Sequence, residues 1–187
     1  MHLPTLRLLS TCLVWAAGLS AAQTPGNLQL SEDGSQVVAL REKLVWPRCV
    51  EGMQWNGKTC TGQALLVDHA GALALATAKQ KADGLRWRLP RVPELRRLTN
   101  PKADPAGIDP LLFPAAPAMW YWSATSSVSG SAINQYNYGN IENGVNGSNI
   151  SRINVSNGWA VNLQTGEARG DVAKRSLLPV RLVRPQD

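Results

Sequence analysis

Asparagine and tyrosine side chains concentrated between residues 133 and 157 are the groups in this sequence best suited to recognising a ligand. Asn recurs at every third position from Asn134 to Asn149, with two tyrosines and several glycines between. Amides donate and accept hydrogen bonds, and tyrosine rings stack on flat or apolar faces at small entropic cost. The pattern predicts a binding loop with ligand contacts from Tyr136, Asn137, Tyr138, Asn140, Asn143 and Asn146.

A repeat of three residues matches neither the period of a strand nor that of a helix, so no regular element is predicted across this segment. Two interpretations stay open. The segment is either a recognition surface or a passive polar loop in which Asn and Gly occupy the positive-φ positions of successive turns. Long polar loops in compact domains are more often functional than accidental, which gives the two interpretations similar weight.

Residues that commonly carry catalysis or bind metals are sparse. His69 could act as a base or ligand, but without a Ser, Cys or second His partner in view a structural role is favoured. Three carboxylates, Asp68, Asp83 and Glu94, lie where a helix would use them for its dipole or for surface pairing. The sequence therefore predicts no catalytic residue, no metal site and no cofactor.

Two cysteines, Cys49 and Cys60, remain beyond the amino-terminal segment. In an oxidising compartment such a pair most simply forms one disulfide, which here would close a hairpin around Asn56-Gly57, a dipeptide typical of tight turns. A zinc or redox site is the alternative, but two cysteines without companion histidines do not fill a tetrahedral zinc site.

Residues 1–22 have the features of a secretory signal peptide. Arg7 precedes an apolar run from Leu8 to Leu19, and small residues follow before a predicted cleavage after about Ala22. The alternative, a lipid anchor on Cys12, is disfavoured because Thr11 is a poor residue before a lipidated cysteine. The formal charge of +6 becomes +5 once Arg7 is removed. We expect a secreted or periplasmic product with no membrane span in the mature chain.

Patterns along the chain predict an α+β fold, with a flexible lead-in at 23–36, a strand over 37–46, two helices at about 65–82 and 92–99, an irregular proline-rich loop over 100–117, and further strands in the last third. The domain boundaries expected are a signal peptide at 1–22, a lead-in with the first strand at 23–43 and the main domain at 44–187. The predicted core comprises Trp46, Trp87, Leu89, Leu95, Trp122, Trp159 and Val183.

Five short motifs in order give the chain a resemblance to a known family. They are Leu44-Val45-Trp46 with the cysteine hairpin, Trp87-Arg88-Leu89-Pro90 with Glu94-Leu95, residues 121–125 (YWSAT), residues 159–162 (WAVN) with Thr165-Gly166, and residues 180–184 (VRLVR). Over residues 44–184 the chain resembles the Lcl C-terminal domain family, DUF1566, named after a Legionella collagen-like adhesin. The resemblance implies an extracytoplasmic, C-type-lectin-like fold and, in that adhesin, binding of sulfated glycans.

Two departures from the family pattern stand out. Arg91 occupies a position where members commonly have Thr or Ser, and an arginine side chain cannot accept the hydrogen bonds that cap a helix. Residues 133–157 look like an insertion, similar in composition to the Asn-rich variable regions of retroelement-diversified receptors. We therefore expect a weakened start of the second helix and an added surface loop.

Three classes of function follow. The favoured one is a non-catalytic binding or adhesion module for a glycan, a polyanionic surface or a protein partner, with nucleic acid excluded by export. The second is a structural component of a pilus or envelope complex, with the aromatics at 120–122 as a protein interface. The third is an enzyme related to the formylglycine-generating oxidases, whose chemistry needs reactive cysteines.

Overall fold

The computed structural model describes residues 27–125 and 156–186, and these form an α+β fold in which the paired strands are antiparallel. In chain order the elements are β1 Leu28–Leu30, β2 Gln36–Ala39, β3 Leu44–Pro47, β4 Met53–Trp55, β5 Cys60–Gly62, β6 Leu66–Val67, α1 His69–Asp83, α2 Val92–Leu98, β7 Thr99–Asn100, β8 Gly107–Ile108, β9 Trp120–Trp122, β10 Asn157–Asn162, β11 Ala168–Ala173, β12 Leu178–Pro179 and β13 Arg184–Pro185. The α+β prediction is confirmed, whereas the C-type-lectin-like topology stays a prediction.

Two larger sheets organise the strands. One has four strands in the order β1-β2-β3-β13, and the other has three in the order β11-β10-β9. The remaining strands form the pairs β12 with β6, β4 with β5 and β7 with β8. The carboxyl-terminal strand therefore completes the sheet that the amino-terminal strands begin, and this arrangement fixes both ends of the described fold to each other.

The three-stranded sheet separates two hydrophobic cores. Tyr121 and Val161 pair across one face and pack with β3 and α2, whereas Trp122 and Ala160 pair across the other face and pack with α1. All four of these residues are 0 % exposed. Successive strand residues point to opposite faces, so the sheet is covered on both sides where β9 pairs with β10.

Burial at this sheet removes one predicted interface. Tyr121 and Trp122 are fully buried, and Trp120 is half-buried with the Arg169 guanidinium 5.2 Å from its ring centroid. The expectation that the aromatics at 120–122 form a protein interface is therefore wrong, because packing against the two cores buries Tyr121 and Trp122 completely and Trp120 in part.

Six of the seven predicted core residues are buried within the described fold, the exception being Trp159. Trp159 lies at a bulge in the pairing of β10 with β11, where the register shifts between Gly158 and Ala160. Its indole lies directly over Gly170, since a Cβ added there would come within 2.6 Å of the ring. The bulge redirects Trp159 onto the neighbouring strand and leaves it half-buried, so its assignment to the core is wrong.

The amino-terminal part of the fold differs from the predicted lead-in. Strand β1 lies within the predicted lead-in and pairs with β2. The predicted strand over 37–46 is divided into β2 and β3 by a turn in which Lys43 has φ 52°. Asn27 holds this turn, since its side-chain oxygen accepts a hydrogen bond from the Arg41 N–H at 2.6 Å and its amide donates to Glu42. Strand β1 has three residues, which is too short for the two-residue alternation of a strand to be recognised in the sequence.

The first helix begins later than predicted. Residues Leu66 and Val67 pair with β12, and Asp68 accepts a hydrogen bond from the Gly71 N–H at 2.7 Å as the cap of α1. The helix-favouring composition from residue 65 concealed this cap. Gly84 closes the helix in the left-handed conformation, with φ 74°, as expected.

The proline-rich stretch is more regular than predicted, because β7 and β8 pair within it. It is held against the fold by Arg48, whose Nε donates to the Leu112 carbonyl at 2.9 Å and whose Nη2 donates to the Leu111 carbonyl. Leu112 and Phe113 enter the first core. The stretch therefore contributes to the core as well as covering it.

A buried arginine joins the end of β3 to the last part of the chain. Arg181 is 0 % exposed, its Nη1 donates to the Pro47 carbonyl at 2.8 Å, and its guanidinium lies 4.6 Å from the Phe113 ring centroid. Burial lowers the pKa of Arg181 to about 10, and desolvation raises the pKa of nearby Tyr121 to about 12. Arg181 therefore stays charged at neutral pH and bridges distant segments.

The cysteine hairpin allows a matched test of backbone strain. Gly52 has φ 91°, and a Cβ there would lie 2.6 Å from the Leu65 backbone nitrogen, whereas Gly57 has φ 90° with nothing within 4 Å. We expect Gly52→Ala to lower the free energy of unfolding by about 3 kcal/mol or more, and Gly57→Ala by about 1 kcal/mol. Denaturant unfolding of the oxidised proteins measures both, and equal losses would contradict the assigned contact.

Candidate functional site

The predicted ligand contacts, Tyr136, Asn137, Tyr138, Asn140, Asn143 and Asn146, lie outside the described residues. The structure does describe the strands that flank the 126–155 segment in sequence. These strands, β9 and β10, are neighbours in one sheet, and Trp122 pairs with Ala160. The Ser123 N–H extends this ladder by donating to the Trp159 carbonyl at 3.0 Å. The end of β9 and the start of β10, which flank the segment in sequence, are therefore adjacent in this sheet.

A second feature, which the sequence did not indicate, is a groove between α2 and strands β1 to β3. It consists of an inner cavity of about 210 Å³ and an outer cavity of about 450 Å³, which share the side chains of Glu42, Leu44, Glu94 and Arg97. We refer to the two together as the α2 groove. Its other lining residues are Asn27, Leu28, Ala39, Trp46 and Leu98 in the inner cavity and Arg41 and Arg88 in the outer one.

The walls of the inner cavity follow from the patterns of two elements. Leu44 and Trp46 in β3 face α2, and Leu98 lies on the inward face of the helix, where Leu95 is also buried. Leu28 from β1 and Ala39 from β2 extend the apolar wall. Because Ala39 is small and Leu28 belongs to a short edge strand, the side chains leave space above Trp46.

The outer cavity is lined by three arginines and two glutamates, and both carboxylates already have partners. Glu42 accepts from the Asn27 amide and lies 3.9 Å from the Arg97 Nε. Glu94 accepts both guanidinium branches of Arg88, each at 2.8 Å. Arg41 makes no ion pair with the described residues, and the Arg97 side chain is 60 % exposed. The remaining binding capacity at this mouth is therefore cationic.

Glu94 also supports the start of α2. Burial opposes its ionisation, but hydrogen bonds from Arg88 and from the Arg91 N–H hold the pKa of Glu94 below its usual range. As expected, the Arg91 side chain accepts no hydrogen bond from the helix. Instead the Thr125 hydroxyl accepts from the Val92 N–H at 3.0 Å. A residue at the base of the 126–155 segment thus supplies the missing cap.

Trp46 forms part of the wall of the inner cavity and carries an unpaired donor. It is 1 % exposed, and its indole N–H has no hydrogen-bond acceptor among the described residues. Leaving a buried N–H without an acceptor costs on the order of 1–3 kcal/mol. The α2 groove itself combines an apolar wall and a cationic mouth, which suits binding of an amphipathic group.

The family relationship can now be assigned. The family model described as the Lcl C-terminal domain matches residues 35–184. The chain belongs to this family. The resemblance in the motifs is thereby confirmed, although the match begins at residue 35 rather than 44, because β2 is part of the domain. Comparison with curated proteins finds no match, and comparison with solved structures finds none either.

In this Lcl C-terminal domain the predicted disulfide is confirmed. The sulfurs of Cys49 and Cys60 are bonded to each other, with the two Cα atoms 5.5 Å apart, across the hairpin of β4 and β5. Both sulfurs are used in this bond, so neither serves as a thiolate ligand and the zinc alternative is wrong. Across residues 27–125 and 156–186 no group of three or more His, Cys, Asp or Glu side chains is arranged to hold a metal ion.

His69 contacts the last residue of β9 and the residue that follows it. Its ring meets Trp122 edge to face at 5.1 Å, and its Nε2 lies 3.4 Å from the Ser123 carbonyl oxygen. The His69 backbone N–H donates to the Lys174 carbonyl. Burial lowers the pKa of His69, and the nearby charge of Lys174 lowers it further. The neighbouring carboxylate, Asp68, caps α1, so the described contacts of His69 are structural.

The α2 groove escaped sequence reasoning for a specific reason. Arg41 and Glu42 were assigned to a continuous strand, and Asn27 to a flexible lead-in, so nothing placed them beside α2. The alternation of charge in Arg88, Glu94 and Arg97 was visible in the sequence. The available signal was the pair of Arg88 and Glu94, six residues apart at the start of the predicted second helix.

The depressed pKa of His69 predicts a pH dependence of stability. The unfolded chain binds a proton near pH 6.5, where the folded protein resists protonation, so the free energy of unfolding falls as pH decreases through this value. We expect His69→Gln to show a smaller decrease between pH 7.5 and 5.5, measured by denaturant unfolding. His2, the other histidine of the sequence, lies in the predicted signal peptide. Parallel stability profiles for the two proteins would contradict the assignment.

Proposed function

We propose that this Lcl C-terminal domain is a non-catalytic binding or adhesion module that acts in the periplasm or outside the cell. Membership of a family named for an adhesin supports binding, and the Cys49–Cys60 disulfide supports an oxidising compartment. The predicted signal peptide at 1–22 lies outside the described residues and agrees with this location. Among the residues that the structure describes, no helix is long and apolar enough to cross a membrane.

The observation that carries the proposal is the anchoring of the 126–155 segment. Trp122 and Ala160, on the strands that flank it, are fully buried and paired with each other. A rigid scaffold that presents a long polar segment is the usual arrangement of binding proteins, since the loop can vary without disturbing the core. We infer that Tyr136, Asn137, Tyr138, Asn140, Asn143 and Asn146 make the contacts.

An acidic glycan or another polyanionic surface is the ligand class that the charge favours. The formal charge of the chain is +6, and α2 exposes Arg96 and Arg97 at the surface. Interactions of exposed charges weaken as salt shortens the screening length, which is about 10 Å at 0.1 M ionic strength. Binding through amides and tyrosines should retain a component that salt does not remove.

Enzymatic activity of the formylglycine-generating type has less support. That chemistry needs a reactive thiolate, and both Cys49 and Cys60 are consumed by the bond between them. Glu94 is held by Arg88 and by the start of α2. The groups that a mechanism would recruit already have structural partners.

Replacing residues 126–155 with a short Gly-Ser linker tests the proposal. We expect the variant to keep its cooperative unfolding transition, because both flanking strands remain, and to lose retention on an immobilised acidic polysaccharide. Retention volumes measured from 50 to 500 mM salt report both the loss and the ionic contribution.

A second variant separates side-chain recognition from simple charge attraction. The double substitution Tyr136→Ser with Tyr138→Ser leaves the net charge unchanged, so we expect it to weaken retention mainly at high salt. Lys102→Gln, at an exposed position in the proline-rich stretch, serves as the control for loss of one charge. Retention of the linker variant equal to that of the native chain would exclude this segment as the binding site.

A further inference from the structure

We propose that the α2 groove binds a small amphipathic anion, an apolar group of about the size of an aromatic ring that carries a carboxylate or sulfate. This site is separate from the 126–155 segment and extends the proposed function by a second ligand. The inner cavity would accept the apolar group, and the cationic mouth would face the anion.

Size and polarity of the inner cavity define the apolar part of the ligand. The cavity has a volume of about 210 Å³. An apolar cavity of ~150 Å³ is sufficient to bind benzene in an engineered protein, so a ring or a short alkyl chain fits here. Leu28, Leu44 and Leu98 supply the wall. Such a cavity favours a fragment of this size over a long chain or a sugar with many hydroxyls.

Trp46 reports on occupancy of the inner cavity. Trp46 lines this cavity, is 1 % exposed, and has an indole N–H without an acceptor in the described part of the chain. A ligand that packs against the indole changes the surroundings of this N–H, so its signal follows binding.

The charges at the mouth favour an anion over a cation. Three arginines and two glutamates line the mouth, and Glu94 is already paired with Arg88 through two hydrogen bonds. The local balance of charge is therefore positive. Arg97 lies at the junction of the two cavities, and its contact with Glu42 is long, at 3.9 Å. A carboxylate or sulfate could therefore engage Arg97 without breaking a strong existing pair.

Three probes of one shape test the proposal. They are 3-phenylpropanoate, its uncharged amide and 3-phenylpropylammonium, titrated into the ¹⁵N-labelled protein. The readout is the indole N–H signal of Trp46, which Trp46→Phe identifies by its disappearance. We expect the carboxylate to shift this signal with saturation, the amide to bind roughly five- to tenfold more weakly, and the ammonium to have no effect.

Two substitutions locate the binding. Ala39→Leu fills the inner cavity and should abolish the shift, and its thermal unfolding shows whether the fold is kept. Arg97→Gln should weaken carboxylate binding by roughly five- to tenfold and leave amide binding unchanged. Arg96→Gln removes a neighbouring exposed charge that does not line the groove, so it should bind as the native chain does.

Four outcomes would overturn the proposal. They are no shift of the Trp46 signal with the carboxylate, equal affinity for the carboxylate and the amide, a shift that survives in a folded Ala39→Leu protein, and equal effects of Arg97→Gln and Arg96→Gln. Retention on an acidic polysaccharide is measured separately with the 126–155 replacement, so either site can fail without the other.

Discussion

Burial of both faces of the paired strands β9 and β10 is the constraint on which the rest of this fold depends. Tyr121 and Trp122 are adjacent in sequence and point in opposite directions, yet both are fully buried. Each face therefore needs its own covering layer, which α1 provides on one side and α2 with the four-stranded sheet on the other. The strands that flank the predicted binding segment in sequence belong to this buried pair.

Helix α2 connects this sheet to the groove through its unusual amino terminus. Arg91 offers no capping oxygen, so the first N–H groups of the helix are satisfied by Thr125 and by groups within the first turn. Glu94, which accepts from the Arg91 N–H, also fixes Arg88 at the mouth of the groove. A substitution that looks unfavourable locally is thus compensated by tertiary contacts, as is common where propensity and packing disagree.

Sequence patterns were sufficient for the features that depend on local chemistry. The disulfide followed from Cys49 and Cys60, and the end of α1 followed from Gly84, because a bridge and a left-handed cap each require particular residue types. The predictions for the start of α1 and for the burial of Trp159 were wrong. Helix-favouring composition concealed the cap of α1, and a bulge in β10 interrupted the alternation of side chains on which the second prediction depended. The α2 groove was missed because Asn27 and α2 are far apart in sequence and no periodicity reports on such a contact.

The neighbouring positions of β9 and β10 have a consequence for how this domain tolerates a break in its backbone. Cleavage between residues 125 and 156 would give two fragments, and each would carry one strand of the same buried ladder. The shorter fragment would also contain Arg181, whose guanidinium donates a hydrogen bond to the Pro47 carbonyl of the longer fragment. The domain is therefore suited to fragment complementation. After a backbone break or an inserted sequence at this position, the buried contacts between the two fragments would still hold them together.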